Sequence, residues 1–302
     1  MTRVEVTFLG TVGSIPTKSR NHPAIYLKYQ SENEYCCLFD CGEGTQKQIF
    51  TSGLNFMRIN DIFITHWHAD HFAGLLGLIQ TMNMEQRTKP ITIYAPEAEE
   101  FVPMLLNLGY SSKDFKVIIK NVEFEGTRRQ KLMETKEFYI EAIPAKHGIP
   151  AVAYAFVEKD RINIDKDKAV KLGLPKKGMI YRKLKEKGKI SFKGKSIKLE
   201  DISKVEKGKR IVYSGDTKPC KNILTLAKDA DLLIHESTFF SEHLEGKHTT
   251  FEEAVEIAKK VKAKQTVLTH ISRRYQDTRK LKEMIKDPSI KIAKDFMKVV
   301  VE

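Results

Sequence analysis

Short runs of β-branched and aromatic residues alternate with stretches of helical periodicity along most of this chain. Strands are expected at residues 4–10, 24–29, 35–39, 90–94, 117–119, 138–143, 152–157, 231–234 and 266–269. Helices are expected at residues 45–52, 72–84, 222–228, 251–262 and 278–286, with another beginning at Pro96. This alternation, with hairpins among the strands, predicts the α/β class with mixed sheets. The arrangement that fits is a four-layer αβ/βα sandwich, in which two facing sheets are covered by helices.

The overall composition is that of an ordinary globular protein. With 302 residues, 41% hydrophobic and 30% charged, the chain is expected to fold as one domain over residues 1–302 with a large core. Cys36 and Cys37 are adjacent and should point to opposite faces of a strand, so we interpret them and Cys41 as core residues rather than a soft-metal site. No apolar run approaches the ~18 residues of a membrane span and no basic leader opens the chain, so a cytoplasmic protein is expected.

Positive charge is concentrated in one segment. The chain has a formal net charge of +13, and residues 158–198 hold fifteen Lys or Arg against five acids, a net charge of +10. A solvated charged loop would account for such a run, and high lysine content also accompanies adaptation to heat. The alternative is a polyanionic partner, because a basic segment neutralises phosphates without reading bases.

The densest chemistry lies in residues 65–71, which read Thr-His-Trp-His-Ala-Asp-His. Imidazole and carboxylate without thiolate favour zinc, with manganese, iron or cobalt as alternatives. His66 and His68 should lie on one side of an extended segment, whereas Asp70 and His71 fall where the chain turns into the helix beginning near residue 72. Two divergent pairs suit two metal ions better than one.

Four ligands cannot close two metal sites, and three candidates occur downstream. His147, Asp216 and His270 each follow a short apolar run, as His66 does. Strand ends are where α/β folds collect ligands on a rigid frame. Either histidine alone would suit an ordinary core or surface position, but the repeated pattern predicts a shared metal centre.

These residues, in this order, resemble the metallo-β-lactamase superfamily, and within it the ribonuclease Z family of tRNA 3′-processing endonucleases. The histidine motif is shared across the superfamily, and the closer resemblance rests on further blocks between residues 8 and 272. The blocks are Phe8-Leu9-Gly10-Thr11, Pro16-Thr17-Lys18-Ser19-Arg20-Asn21, Phe39-Asp40-Cys41-Gly42-Glu43-Gly44-Thr45-Gln46, Ser214-Gly215-Asp216-Thr217, His235-Glu236-Ser237-Thr238, His248-Thr249-Thr250 and Leu268-Thr269-His270-Ile271-Ser272.

The resemblance implies a zinc-dependent endoribonuclease with two Zn²⁺ ions per subunit, Mn²⁺ or another divalent ion being possible. One ion is assigned to His66, His68 and His147, the other to Asp70, His71 and His270, and Asp216 is assigned as the bridge. A hydroxide held between the two metals would attack the phosphodiester, with Asp70 also accepting its proton. The resemblance further implies that Asp40 supports the metal loop from behind rather than binding metal.

The leaving ribose 3′-oxygen needs a proton, and Glu236 with His248 is our candidate relay, because a carboxylate-oriented histidine is a suitable general acid. A capping-loop histidine and a structural hydrogen bond are the alternatives for this pair. The products implied by the resemblance are a tRNA with a 3′-hydroxyl and a trailer with a 5′-phosphate.

For residues 158–198 the resemblance implies a flexible, protruding arm that grips tRNA. Candidate substrate contacts are Lys176, Lys177, Arg182, Lys183 and Arg20. The family is homodimeric, so the arm of one subunit could hold tRNA for the site of the other.

Three other functional classes share part of the pattern. A thioester or lactone hydrolase has the metal motif but no use for a +10 segment. A flavo-diiron oxidoreductase typically has Glu where His68 stands and carries a flavin domain. A non-catalytic RNA-binding relative would be expected to have lost ligands, whereas all seven are present here.

Overall fold

The computed structural model describes residues 2–110, 114–175, 177–239, 248–275, 285 and 287–302. It divides into two compact units, one formed by Met1–Val157 with Lys209–Glu302 and the other by Glu158–Gly208. Among the described residues, no helix is both long enough and apolar enough to cross a membrane. The helix predicted at residues 278–286 lies, except for residue 285, outside the described part.

Elements of the first half of the chain follow in this order: β1 (Arg3–Gly10), β2 (Val12–Gly13), β3 (Ala24–Gln30), β4 (Glu34–Phe39), α1 (Thr45–Ser52), β5 (Ile59–Phe63), α2 (Ala69–Phe72), α3 (Leu75–Met84), β6 (Ile91–Ala95), α4 (Ala98–Leu106), β7 (Val117–Asn121), β8 (Gln130–Glu134), β9 (Phe138–Pro144) and β10 (Val152–Glu158). The predicted strands of this region are confirmed to within a few residues. The short strands β2 and β8 had no apolar alternation to mark them.

Elements of the second half are β11 (Arg161–Ile164), α5 (Lys166–Lys171), α6 (Ile180–Lys187), β12 (Lys189–Phe192), β13 (Lys195–Lys198), β14 (Ser203–Glu206), β15 (Arg210–Tyr213), α7 (Lys221–Leu226), β16 (Leu232–Glu236), α8 (Phe251–Val261), β17 (Gln265–Thr269), β18 (Ile271–Ser272), β19 (Ile290–Ile292) and β20 (Lys298–Val301). Helix α8 begins with a capping box, since the Thr250 hydroxyl accepts from the Glu253 amide and the Glu253 carboxylate accepts from the Thr250 amide.

The larger unit is the predicted four-layer sandwich. One sheet has the order β20-β1-β3-β4-β5-β6-β7 and the other β19-β17-β16-β15-β10-β9-β8, and both mix parallel with antiparallel pairs. Their facing sides share a core in which the rings of Phe63 and Tyr154 lie 5.3 Å apart between centroids. The outer side of the first sheet packs on α1, α3 and α4, and that of the second on α7 and α8. Burial from both faces explains why most strands read as apolar runs.

The cysteines pack in the core, as interpreted from the sequence. Cys37 faces the core between the sheets, whereas Cys36 and Cys41 face the helical layer, and all three are free thiols. Opposite faces for adjacent residues follow from the period of two along a strand.

The helix predicted at residues 72–84 is wrong in its detail, because two helices with a break between them are found. Gly74 lies in the break, where its amide donates to the Cys41 carbonyl at 2.9 Å and a Cβ would meet the Gly42 oxygen at 2.1 Å. This close approach joins the strand-end loop after β4 to the helix that carries Asp70 and His71. The next helix, α4, begins at Ala98 rather than Pro96, because Glu97 precedes it in a left-handed conformation.

The smaller unit has secondary structure and a core of its own. Strands β11 and β14 pair, β12 and β13 pair, and Ala169, Leu174, Leu184, Ile197 and Ile202 form its buried cluster. The basic segment at residues 158–198 lies within this unit. The apolar residues of this segment are few and scattered among charged ones, so the sequence pattern predicted no helix or strand here.

Candidate metal centre

The predicted ligands follow strands whose carboxyl ends share a rim of the larger unit. In the first sheet β4 and β5 are parallel, and they lead into Asp40 and His66. In the second sheet β15, β16 and β17 are parallel, and β15 and β17 lead into Asp216 and His270. His147 follows β9 in the same sheet. Parallel strands end at one edge, which is why residues up to about two hundred positions apart in sequence meet here.

His66, His68, His147 and Asp216 form the first set, with donor atoms that all lie within 4.8 Å of one another. Nδ1 of His68 is 3.0 Å from Nε2 of His66 and 3.1 Å from Nε2 of His147. Zinc–nitrogen bonds of about 2.0–2.1 Å in a tetrahedron place donors roughly 3.3–3.4 Å apart. The separations therefore suit a single ion of that size.

Asp70, His71 and His270 form the second set. Their atoms Oδ2, Nε2 and Nε2 are mutually separated by 3.3 to 3.6 Å. His270 has a left-handed backbone (φ 57°), a conformation that non-glycine residues seldom adopt and that clusters at functional sites. Asp70 and His71 lie within the short helix α2, and not before it as the sequence had suggested.

Asp216 lies close to donor atoms of both sets. Its Oδ2 is 3.8 Å from Nε2 of His66, and its Oδ1 is 3.4 Å from Nε2 of both His71 and His270. Asp216 is 3% exposed, and Oδ1 makes no hydrogen bond to any described residue. A buried oxygen without a donor is costly unless a cation is bound to it, so the carboxylate fits a metal between the two sets.

The electrostatics also suit cations. Burial holds the pKa of His66 well below its usual value, which keeps its imidazole neutral and its lone pair free to bind metal. Burial alone would raise the pKa of Asp216, but His270 and His71 hold it well below normal. Burial opposes a charged His71, yet the carboxylates of Asp216, Asp40 and Asp70 raise its pKa well above normal. The same negative field favours a divalent ion at this position.

Asp40 lies behind the cluster and is completely buried. Its Oδ2 accepts from His71 Nδ1 at 2.7 Å and its Oδ1 accepts from the Thr65 amide at 2.7 Å. Because Nδ1 is committed to Asp40, Nε2 is the nitrogen that faces the metal set, and a bound cation would take the place of its proton. This arrangement matches the supporting role that the resemblance implied for Asp40.

Glu236 is buried beside the second set and is held on both oxygens. Oε1 accepts from the Thr217 amide at 2.7 Å and lies 3.1 Å from His248 Nδ1. Oε2 accepts from the Thr238 hydroxyl at 2.5 Å, and that hydroxyl is 2.7 Å from His270 Nδ1. One carboxylate thus orients both His248 and, through Thr238, a candidate metal ligand. Thr238 belongs to one of the motif blocks, but no role was predicted for it.

His248 is brought to the cluster, with Nδ1 3.6 Å from Asp216 Oδ2. Burial disfavours its charge, but the hydrogen bond and charge of Glu236 raise the pKa of His248 to about 9. A histidine in this state holds a proton at neutral pH. It can therefore act as an acid, and with Asp216 and His270 it also forms a third group of donor atoms close enough to hold a metal ion.

The loop between β2 and β3 closes the cluster from the amino-terminal side. The Ser14 amide donates to Asp70 Oδ2 at 2.8 Å, and a Cβ on Gly13 would meet the His270 ring at 2.7 Å. Arg20 is 8% exposed, and its Nη1 donates to the Thr11 hydroxyl and to the Ala293 carbonyl. The buried guanidinium therefore anchors this loop.

The other candidate substrate contacts belong to the smaller unit. Lys177, Arg182 and Lys183 are exposed, and Arg182 pairs with Glu186 at 2.9 Å. Lys176 lies outside the described residues. The exposed ammonium groups are available to anions.

Two family models match the chain. Residues 4–184 match the model of the anti-Pycsar protein Apyc1, and residues 201–271 match a beta-lactamase superfamily domain. The first match includes the loop from His66 to His71, and the second includes Asp216 and His270. A His and Asp cluster within this fold indicates binding of divalent metal.

Curated relatives match nearly the whole chain. Ribonuclease Z of Pyrococcus abyssi is 42% identical over 306 residues, covering 99% of this chain and 96% of the relative. Ribonuclease Z of Thermococcus sibiricus is 45% identical over 278 residues, covering 90% and 88%. Among solved structures, human tRNase Z, short form, is similar with a TM-score of 0.71 at 28% identity and covers 99% of both chains.

Proposed function

Because this chain belongs to the ribonuclease Z family of endoribonucleases, we propose that it removes the 3′ trailer from precursor tRNA with two bound zinc ions. The observation that carries the proposal is the convergence of seven predicted side chains, with Asp216 placed between two sets of donor atoms. Retention of all seven argues for catalysis rather than RNA binding alone.

The residues that would hold the two ions are those of the first and second sets, with Asp216 shared. Bound zinc would supply activation of water at neutral pH and stabilisation of charge at the phosphate. Asp70 is the candidate acceptor of the proton that the attacking water loses, and the Ser14 amide fixes its Oδ2. Asp40 and Thr238 hold the imidazoles of His71 and His270 so that Nε2 faces inward.

His248 is the candidate donor of the proton to the leaving 3′-oxygen. Glu236 contacts its Nδ1 and so directs Nε2 away from the carboxylate. The pair is supported by its place beside the candidate metal centre, since His248 Nδ1 lies 3.6 Å from Asp216 Oδ2.

We further propose that the smaller unit grips the tRNA body through its basic surface. Its net charge of +10 over residues 158–198 and the exposure of Lys177 and Lys183 support this role. As in the family, we propose a homodimer in which one subunit's basic unit serves the other's site. The free buried thiols are consistent with a reducing cytoplasm.

The proposal is tested directly with a precursor tRNA that carries a 3′ extension. Zinc-loaded protein is expected to yield a tRNA ending in a 3′-hydroxyl and a trailer beginning with a 5′-phosphate, which electrophoretic sizing and end-labelling distinguish. Metal analysis of the purified protein is expected to give two zinc ions per chain. Trailers with a 5′-hydroxyl, or cleavage that survives removal of all divalent metal, would contradict the proposal.

Replacement of His248 by alanine separates its role from metal binding. We expect cleavage of precursor tRNA to slow about 10²-fold, the contribution typical of a positioned general acid. Hydrolysis of bis(p-nitrophenyl) phosphate should change far less, because nitrophenolate leaves without a proton. Glu236→Gln should slow cleavage of precursor tRNA as well, but it should also weaken zinc binding, because Glu236 holds Thr238 against His270. For His248→Ala, an equal loss on both substrates, or a loss of bound zinc, would assign His248 to the metal centre instead.

A further inference from the structure

Tyr213 is the last residue of β15, and its hydroxyl crosses from the second sheet to a carboxylate of the first. Its Oη donates to Asp40 Oδ2 at 2.7 Å, and both residues are nearly inaccessible to solvent, at 3% and 0%. The same Oδ2 accepts from His71 Nδ1 at 2.7 Å. One oxygen therefore joins the tyrosine to a candidate metal ligand.

We propose that Tyr213 is a positioning residue that tunes the metal ion held by His71, acting through Asp40. The inference rests on the proposed function, since it presumes that the cluster binds metal. Nothing in the residue pattern marked Tyr213, which reads as one more aromatic residue of a buried strand.

The Asp40 carboxylate is buried and depends on several hydrogen-bond donors. It is buried away from solvent, has a left-handed backbone at φ 56°, and its Oδ1 already accepts from the Thr65 amide. A buried carboxylate must be satisfied by donors on both oxygens to keep its charge and its orientation. Without the Tyr213 hydroxyl, the donors left to Oδ2 would be His71 Nδ1 and the Thr65 hydroxyl, which lies equally close to Oδ1.

Tyr213 also sets the spacing between the two halves of the centre. Asp216 follows it by three residues, and Asp216 Oδ1 lies 3.4 Å from His71 Nε2. The hydroxyl thus ties the chain that carries the bridging carboxylate to the carboxylate that orients His71. A rigid link of this kind holds two ligands from different parts of the fold at the separation a metal requires.

The chain offers a matched control in Tyr35. Its hydroxyl also donates to a buried aspartate, with 2.8 Å to Asp61 Oδ2, and Asp61 is 7% exposed. Tyr35 and Asp40 lie five residues apart along and beyond β4, a distance of roughly 16 Å. Tyr35→Phe therefore removes the same type of bond from the same core without reaching the metal centre.

The experiment compares wild type, Tyr213→Phe and Tyr35→Phe in zinc titrations against a chromophoric chelator, with thermal unfolding of each metal-free protein. We expect Tyr213→Phe to weaken one of the two zinc equivalents about 10-fold, as loss of an outer hydrogen-bond partner typically does. Tyr35→Phe should bind both equivalents as wild type does. The two variants should unfold at similar temperatures without metal.

A double-mutant cycle with Asp40→Asn tests the route of the effect. If Tyr213 acts through Asp40, Tyr213→Phe adds no further loss of zinc affinity in the Asp40→Asn background. Unchanged zinc affinity in Tyr213→Phe, an equal loss in Tyr35→Phe, or additive losses in the cycle would each overturn the inference while leaving the proposed function intact. Wild-type protein that binds no divalent metal would overturn the proposed function and the inference together.

Discussion

Asp216→Asn is expected to abolish most activity on precursor tRNA and on small phosphodiesters alike. The change removes the negative charge shared by the two donor sets while keeping the size of the side chain. Because loss of an outer hydrogen-bond partner already costs 10–100-fold, loss of a shared ligand should cost about 10³-fold or more in kcat/KM. Steady-state kinetics with both substrates and metal analysis of the same preparation measure the effect.

A matched control for this variant is Asp61→Asn, which changes another buried aspartate of the larger unit. Asp61 accepts from Tyr35 and lies outside the candidate ligand sets, so its replacement should leave kcat/KM and zinc content near the wild-type values. If Asp216→Asn kept full activity and both zinc ions, Asp216 would not be the bridge.

Excision of the smaller unit is expected to impair cleavage of precursor tRNA while leaving hydrolysis of a small phosphodiester intact. Val157 and Arg210 lie opposite each other in the antiparallel pair of β10 and β15, so an Asn-Gly turn can replace residues 158–209. Losing the proposed tRNA-binding surface should lower kcat/KM for precursor tRNA about 10³-fold, because contacts to phosphates alone commonly give Kd values of roughly 10⁻⁴ to 10⁻⁶ M. Hydrolysis of bis(p-nitrophenyl) phosphate should stay within about threefold, because all seven candidate ligands belong to the larger unit, which the excision leaves in place.

Charge reversal tests the same role without deletion. Lys177→Glu with Lys183→Glu alters two exposed side chains and should reduce tRNA affinity. The slope of log affinity against log salt concentration should become shallower by about 0.9 for each lost phosphate contact. Equal loss of both activities on excision would mean that the smaller unit supports the metal centre. Unchanged tRNA cleavage would mean that it does not hold the substrate.

The sequence by itself determined most strands of the two large sheets, the order of the candidate ligands and the class of chemistry. Apolar runs doubly buried between two layers, such as those before His66 and Asp216, are visible without a structure because every position is apolar. The dense His and Asp motif needs no tertiary information either, since neighbours along an extended segment stay neighbours in space. The same holds for the α8 cap, which depends on residues three positions apart.

Only the tertiary structure decided which distant side chains contact the candidate ligands and hold them in position. The break at Gly74 depends on a carbonyl from another loop, and the elements of the smaller unit depend on a five-residue core hidden among lysines. The contact of Tyr213 with Asp40 joins different sheets, and the burial of Arg20 depends on Ala293 near the other end of the chain. Sequence periodicity reports which face of an element is buried, but not what lies across from it, and the support of a metal centre consists of contacts of that second kind.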